Sequence, residues 1–180
     1  MAAALKSEAR TTGTKAQIKA LRASGKIPAI VYGKRTTPVC VTLDAAEVRV
    51  LLVDGHRNRL INLDVPDLGV KSVFIKEITR DVIRRDITHV DFQVVEAGDF
   101  VTYRAPVETV GVPVGVKIGG GNLQLVTRTL KVRVPSDKLV DKIEIDVSSL
   151  EKGQAFFVKQ IDFPAGVIVT PARQAAAVVA

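Results

Sequence analysis

Strict alternation of apolar and charged residues marks the second half of the chain. The segments Leu130–Val134 and Ile143–Val147 alternate at every position. This pattern is typical of half-buried strands, with apolar side chains inward and charged side chains outward. Because helical periodicity is almost absent from this half, we predict that it is all-β. The predicted strands are 101–110, 123–134, 142–147, 156–161 and 166–169.

The first half mixes strand patterns with two short helical patterns. A hairpin is predicted around the turn Pro66–Gly69, because apolar runs precede and follow it. The strand at 27–33 contains Pro28, which has no backbone N–H to donate, so we expect this strand to begin at a sheet edge. The predicted strands are 5–10, 27–33, 38–43, 59–65, 70–78 and 87–94.

The first helix is predicted over 15–24 and places its bases together. Ile18 and Leu21 share one face, and Gly25 follows as a typical residue just past a helix end. Three bases spaced by four and three residues share another face: Lys15, Lys19 and Arg22. Like charges on one helix face repel by about 0.2–0.5 kcal/mol per pair, which favours a bound counter-anion.

The pattern of apolar and polar residues changes near residues 93–99 and divides the chain into two parts. Before it, a second helix is predicted from the capping residue Asp44 to Asp54–Gly55. After it, only strand patterns recur. We therefore predict a mainly β protein of two domains, 1–93 and 94–180, with no obvious flexible linker between them.

Composition excludes several classes of protein. With 47% hydrophobic residues among 180, the chain is not expected to be disordered. The lone Cys40 excludes a disulfide framework and a thiolate metal cluster, and we expect it to pack in a strand. No apolar run approaches membrane-spanning length, and the start lacks the apolar region of a secretory signal, so a cytoplasmic location is expected. We expect no membrane partner, no small-molecule substrate, no cofactor and no metal.

The net charge of +7 is concentrated at one end. Residues 1–35 hold eight bases and one acid, so the other 145 residues are near neutrality as a whole. Such a local excess is typical of a polyanion-binding surface, although a solvated charged face explains it equally well when taken alone. Tyr32 is the only aromatic residue in this segment, so stacking on single-stranded bases is not expected. Basic side chains without stacking aromatic residues favour recognition of RNA by its shape and backbone.

Several motifs, in order along nearly the whole chain, resemble the bacterial large-subunit ribosomal protein L-twenty-five family, which includes the general stress protein Ctc. The segment from Arg10 to Gly33 is similar to its first signature, and Lys76–Arg80 with Asp86–Phe92 is similar to its second. Segments of the second half resemble the C-terminal β domain of the longer members: Gly119–Pro135, Ile143–Leu150 and Phe163–Val167.

The resemblance implies a fold, a partner and a set of contact residues. The first domain would be a small β-barrel with short helices that binds 5S rRNA in the large subunit, and the second would be a β structure lying against the ribosome. Further candidate partners are 23S rRNA and neighbouring large-subunit proteins. The RNA-binding residues carried over are Arg10, Lys15, Lys19, Arg22, Tyr32, Lys76, Arg80, His89 and Asp91.

The chain departs from the family pattern at two places. Lys19–Ala20 stands where the family usually has two arginines, and Thr79 and Asp81–Val82 replace a Gln and a His-Pro step. We expect fewer RNA contacts from the second segment, with Arg80, Arg84 and Arg85 as replacements.

Alternative interpretations accompany the individual residues. Tyr32 could equally pack on a barrel rim, and His56 is expected to be an exposed turn residue. Gly119–Gly121 resembles a phosphate-binding loop only superficially, because no Lys-Ser/Thr pair and no helix follow it, so a turn is expected. The last residues, 174–180, could form a strand or a frayed tail.

The sequence bears on three classes of function. A structural ribosomal component is favoured, and the alternative is a stress-induced protein that associates conditionally with the ribosome. An enzyme is disfavoured, because no Asp, Glu and His residues converge at recognisable spacing.

Overall fold

The computed structural model describes residues 4–11, 13–53, 56–66, 68–117, 120–161, 163, 166–169 and 176–179. The chain divides into two compact units, residues 1–99 and 100–180. Strands predominate in both, which confirms the predicted mainly β fold.

The first unit is one seven-stranded sheet with two short helices, in the strand order β1-β5-β6-β7-β3-β4-β2. The strands are β1 (Ala4–Lys6), β2 (Glu8–Ala9), β3 (Lys26–Tyr32), β4 (Val39–Asp44), β5 (Leu60–Val65), β6 (Gly69–Arg80) and β7 (Ile87–Val94). The helices are α1 (Lys15–Ala23) and α2 (Ala45–Val53), with a 3₁₀ turn at His56–Asn58. The predicted β5–β6 hairpin is confirmed.

One N-terminal segment occupies both edges of this sheet. β1 pairs in parallel with β5, and β2, which begins two residues later, pairs antiparallel with β4 at the opposite edge. Ser7 lies between them, and both its backbone N–H and its hydroxyl donate to the Asp64 carbonyl, at 3.2 and 2.6 Å. The sheet is therefore close to a barrel, as the resemblance implied. The predicted strand 5–10 changes partner at Ser7.

Alternate residues of the strands point inward and form an apolar core. Ala29 and Val31 of β3 and Val90 and Phe92 of β7 have no exposed surface. Burial of aliphatic side chains stabilises a fold by about 25 cal/mol per Å² of apolar area. The core comprises Leu5, Ile27, Ala29, Val31, Val41, Leu43, Val48, Leu51, Ile61, Leu63, Val65, Val73, Ile75, Val90, Phe92 and Val94.

The predicted edge position of β3 is wrong. β3 lies inside the sheet, antiparallel to β4 and parallel to β7. Its ladder to β7 begins at Ala29, one residue after Pro28. The missing N–H therefore precedes the second ladder, so proline is tolerated in an interior strand.

The first helix follows its prediction closely. α1 ends at Ala23, and Gly25 adopts a φ of +80°, a left-handed conformation that glycine reaches without a Cβ clash. At the start of α2, the Asp44 carboxylate accepts the Ala46 N–H at 2.7 Å, as a capping residue does. Its predicted end at Asp54–Gly55 lies outside the described residues.

The second unit contains a four-stranded sheet, order β11-β8-β10-β13, and a three-stranded sheet, order β12-β14-β9. The strands are β8 (Phe100–Val110), β9 (Gln124–Leu125), β10 (Thr129–Pro135), β11 (Ile143–Asp146), β12 (Ala155–Phe157), β13 (Ile168–Val169) and β14 (Ala176–Val179). A short helix, α3 (Val114–Lys117), and 3₁₀ turns at Ser136–Lys138 and Val158–Gln160 connect them. The strict alternation is confirmed, because burial alternates along β10 and β11.

Three details of this unit differ from or refine the predictions. The segment 123–134 is two strands rather than one, because the chain leaves the ladder between Leu125 and Thr129. The segment 156–161 continues as a 3₁₀ turn after Phe157. Of the two alternatives for the C-terminus, the strand is correct: β14 pairs with β12 and β9. The side chain of His56 and the residue Gly119, for which a turn is predicted, lie outside the described part of the chain.

Candidate nucleic-acid interface

The helix α1 presents its bases to solvent. None of its residues is buried, and Lys15 and Lys19 are exposed and have no acidic partner among the described residues. Arg22 is different, because its Nε and Nη2 both donate to the Thr88 carbonyl, at 3.1 and 2.9 Å. Arg22 therefore ties α1 to the start of β7, and its guanidinium is only partly available to a ligand.

Four predicted contact residues lie on the outer face of the first sheet. The Arg10 N–H donates to the Cys40 carbonyl at 3.1 Å, which extends the β2 ladder by one position. Cys40 is paired with Ile30, Ile30 with Asp91, and Asp91 with Glu77. This row crosses five strands. Tyr32 lies two residues after Ile30 on β3, and His89 lies two residues before Asp91 on β7. Because β3 and β7 are parallel, Tyr32 and His89 flank the row from opposite sides, on the same face because side chains alternate.

His89 and Asp91 form a close pair. The His89 Nδ1 lies 2.6 Å from the Asp91 Oδ1, and each side chain is about a third exposed. The carboxylate therefore fixes the ring orientation through Nδ1, and Nε2 is the ring nitrogen without a partner among the described residues.

Tyr32 is half-buried between acidic neighbours. Burial raises the pKa of its phenol, and the negative charges of Asp91 and Glu77 raise it further. The hydroxyl is therefore a neutral hydrogen-bonding group at physiological pH.

Arg10 has an unsatisfied nitrogen. Its Nε is buried and lacks a hydrogen-bond partner within the described structure. A buried donor without an acceptor costs about 1–3 kcal/mol, and more when it carries charge. An acceptor that arrives with a ligand would remove this cost.

A basic groove lies where β3 and β7 begin, between α1, α2 and the segment 81–86. Its volume is about 880 Å³. Six bases and two acids line it: Lys15, Lys19, Arg22, Lys26, Arg49 and Arg84, with Asp81 and Asp86. An excess of bases around a concave surface attracts anions, because the surrounding protein focuses the field.

The segment 81–86 is a hydrogen-bonded turn that carries two arginines, Arg84 and Arg85. The Asp81 carboxylate accepts the N–H groups of Ile83 and Arg84, at 2.8 and 2.9 Å, and these bonds lower its pKa. Arg85 adopts a left-handed φ of +59°, unusual for a residue with a side chain. Arg49 reaches across the groove to Asp86 at 3.2 Å.

The remaining predicted residues, Lys76 and Arg80, lie on β6. Lys76 is exposed at an irregularity, where the pairing with β7 passes from Ile75 to Glu77. Arg80 is exposed at the end of β6, opposite Ile87, and does not line the groove. The structure thus brings together the outer-face residues and, separately, the groove residues.

Sequence reasoning missed Arg49 and Lys26 as groove residues. Arg49 lies within α2, a helix predicted only for its apolar face, so no local pattern marks it. The structure also changes the charge count, since Lys34 pairs with Asp99 and Arg35 with Glu96. Part of the N-terminal excess is therefore neutralised by acids from residues 96–99.

The described residues contain no group of three or more side chains suited to a metal ion. Within the same residues, no helix has the length and apolar character of a membrane span.

Comparison with known proteins accounts for both halves of the chain. Residues 5–92 match the model of the Ribosomal L25p family, and residues 101–180 match that of the Ribosomal protein TL5, C-terminal domain. A large ribosomal subunit protein bL25 of Desulforamulus reducens is 34% identical over 91% of this chain and 78% of that protein.

The chain belongs to the bL25 ribosomal protein family. A bL25 protein of Endomicrobium trichonymphae is 34% identical over 87% of this chain, and the chain spans 65% of that protein. The general stress protein Ctc of Bacillus subtilis is 35% identical over 91% of the chain and 78% of its own length.

Membership of the bL25 family confirms three of the expectations. The resemblance read from the motifs is correct, and the expected ribosomal location follows from it. The family consists of structural proteins of the large subunit rather than enzymes. This confirms the expectation that the protein is not an enzyme.

Proposed function

We propose that this chain binds 5S rRNA in the large ribosomal subunit through its first unit. The observation that carries the proposal is the register of the first sheet, which aligns Arg10 and Asp91 in one row and places Tyr32 and His89 beside it. These residues come from distant parts of the chain. Arg10 and Tyr32 belong to the first family signature, and His89 and Asp91 belong to the second. The sheet brings residues of both signatures onto one face.

The chemistry of this face suits a double-helical RNA. The RNA minor groove is wide and shallow and displays 2′-hydroxyls and base edges. A sheet face carrying an imidazole, a phenol, a carboxylate and a guanidinium offers donors and acceptors to those groups. Asp91 holds the His89 ring so that Nε2 is directed to the RNA, and Arg10 supplies a donor, Nε, that lacks a partner among the described residues.

The basic groove serves the flanking phosphates. Lys15 and Lys19 reach phosphates directly, while Arg22 holds α1 against β7 so that these lysines keep their position. Arg84 and Arg49 add charge on the opposite wall of the groove. Lys76 and Arg80 lie on β6 and complete the proposed contact set.

Equilibrium binding of the full chain to a 5S rRNA transcript across a potassium chloride series tests this proposal. We expect preferential binding over an unrelated RNA duplex of equal length, and an affinity that falls steeply with salt because several phosphate contacts release counterions. Binding that is absent, salt-insensitive or equal for both RNAs would refute the proposal.

The two-domain organisation is part of the proposal. The unit of residues 1–99 would act as the 5S rRNA-binding domain, and the unit of residues 100–180 would meet 23S rRNA or neighbouring large-subunit proteins.

A stress-dependent association is the second candidate, and it rests on the similarity to the general stress protein Ctc. Quantification of the chain in large subunits from unstressed and stressed cells separates the two. Equal occupancy supports a constitutive component, and occupancy that appears only under stress supports the second candidate.

A further inference from the structure

The outer face of the four-stranded sheet in the second unit gathers bases that are scattered in the sequence. Pairing of β8 with β10 places Arg104 directly opposite Lys131, and Arg133 opposite Thr102. The residues between them, such as Val132 and Ala105, are buried, so the three bases project from the opposite, exposed face. On one strand face, neighbours are about 7 Å apart, and adjacent strands are about 4.8 Å apart.

No acid neutralises this cluster within the described residues. Like charges directly opposite each other destabilise a sheet, so the Arg104–Lys131 pair is unfavourable in the free protein. The acids of the same sheet lie elsewhere, because Glu108 is four residues along β8, about 13 Å from Arg104. Glu108 and Glu144 both bind Lys142, at 2.9 and 3.0 Å, and raise its pKa to about 12.

Aromatic and aliphatic side chains border the cluster. The Arg133 guanidinium lies 4.9 Å from the centroid of the Phe100 ring, which fixes it by a cation–π contact. Phe100 is 42% exposed, and Ile168, paired with Arg133 from β13, is 55% exposed. The patch is therefore one arginine held by Phe100 and two bases, Arg104 and Lys131, that have no acidic partner in the described part of the chain, beside a small apolar surface.

We propose that this face binds the phosphate backbone of ribosomal RNA, and we call it the β8–β10 basic face: Arg104, Lys131 and Arg133. A phosphate backbone removes the repulsion between the opposed bases, and planar guanidinium groups bind phosphate oxygens in pairs. The inference rests on the proposed function and deepens it, because it assigns the RNA contact of the second unit to one named face, separate from the 5S rRNA surface.

The test is binding of the full chain, first saturated with 5S rRNA, to a 23S rRNA transcript. The variant carries Arg104→Gln, Lys131→Gln and Arg133→Gln. Its matched control carries Lys117→Gln, Lys138→Gln and Lys159→Gln, which removes the same charge from exposed positions off this sheet. We expect the variant to bind 23S rRNA at least about tenfold more weakly, with a salt slope smaller by about 2–3, and the control to match the wild type.

Stability gives an independent readout. Removal of opposed like charges should leave the unfolding temperature unchanged or raised, so weaker binding with an intact fold points to lost phosphate contacts. If the triple variant does not fold, the single variant Lys131→Gln is used, with an expected slope change of about 1.

Three results would overturn the inference. They are equal 23S rRNA affinity of variant and wild type, an equal loss in the control, and loss of the variant from reassembled large subunits without a change in RNA affinity. The last result would assign the face to a neighbouring protein. Affinity for 5S rRNA, measured in parallel, reports the proposed function separately and should be unchanged.

Discussion

At the scale of single residues, the contact face of the first unit depends on pairs rather than on isolated charges. Asp91 is central, because it holds His89 through Nδ1 and also raises the pKa of Tyr32. The sequence identified His89 and Asp91 as neighbours on one strand face, since a single residue, Val90, separates them in an alternating segment. It did not reveal that Glu77 lies opposite Asp91, because that depends on the register of β6 with β7.

The environment of Tyr32 gives a test that needs no RNA. In a Tyr103→Phe background, where Tyr32 is the only tyrosine, Asp91→Asn should lower the pKa of Tyr32 toward its ordinary value. The reason is that removal of a nearby negative charge makes the tyrosinate less unfavourable. Alkaline titration of the tyrosinate ultraviolet absorbance measures it.

Glu77→Gln should act in the same direction, because Glu77 also raises the pKa of Tyr32. Asp137→Asn in the second unit serves as the control and should have no effect. A Tyr32 pKa that does not change with Asp91→Asn would contradict the geometry of the face.

At the scale of elements, α1 was predictable almost to the residue. Its end is encoded locally by Gly25, and its basic face by the spacing of Lys15, Lys19 and Arg22. What the spacing did not show is that Arg22 is held by Thr88, because this contact joins residues 66 positions apart. Arg49 was missed for the same reason. It lines the groove from α2, whose sequence has no polar pattern that predicts such a contact.

The lysines of α1 should matter for RNA and not for folding. We expect Lys15→Ala with Lys19→Ala to reduce the salt slope of 5S rRNA binding by about 2, because two phosphate contacts are lost. Helicity should not fall, since alanine is the strongest helix former. Salt-dependent binding measurements and circular dichroism check both.

The matched control for α1 is Lys138→Ala with Lys142→Ala in the second unit. It removes the same charge, so any effect of net charge alone appears in both variants. Equal weakening of the two would show that α1 makes no specific contact.

In the second unit, the Tyr103 side chain connects β8 to the backbone of the loop at Val140. Its hydroxyl donates to the Val140 carbonyl at 2.7 Å and accepts the Val140 N–H at 2.9 Å. Tyr103→Phe should therefore lower the free energy of unfolding by about 1–3 kcal/mol, because the part-buried backbone groups of Val140 lose their partner. Denaturant unfolding measures this. Tyr32→Phe is the control, because its hydroxyl makes no hydrogen bond within the described residues, and it should cost less.

The same substitution predicts a pH dependence. Burial raises the pKa of Tyr103 above its ordinary value of 10.0, so the fold favours the protonated phenol. Its stabilisation is present in full below that ordinary value and is lost as pH rises through the raised value. The stability difference between wild type and Tyr103→Phe should thus be constant from neutral pH to about pH 10 and shrink above it. A difference that grows with alkaline pH would contradict this.

At the scale of the whole molecule, fold class was predictable and topology was not. Alternating positions, turn residues and caps are local, and they located most strands and both helices of the first unit. Closure of the sheet through Ser7 is a long-range event, in which one segment pairs with β5 and then with β4. The interior position of β3 was missed for a related reason, because Pro28 excludes one hydrogen bond but not a ladder that starts at Ala29.

The distribution of charge in the fold differs from its distribution along the sequence. In sequence, the N-terminal segment holds the whole excess. In the fold, Lys34 and Arg35 are paired with acids of residues 96–99, while the second unit, with ten bases and seven acids, gathers the β8–β10 basic face. A domain of modest net charge can therefore still present a basic surface to RNA.

The central claim is that 5S rRNA lies on the first unit, and hydrogen–deuterium exchange of the full chain with and without 5S rRNA tests it most directly. α1 has no buried residue, so its amides should open readily in the free protein and slow on binding. The account predicts slower exchange in α1 and in the segment 81–86, with residues 120–161 unchanged. Protection confined to the second unit, or none at all at saturating 5S rRNA, would contradict it.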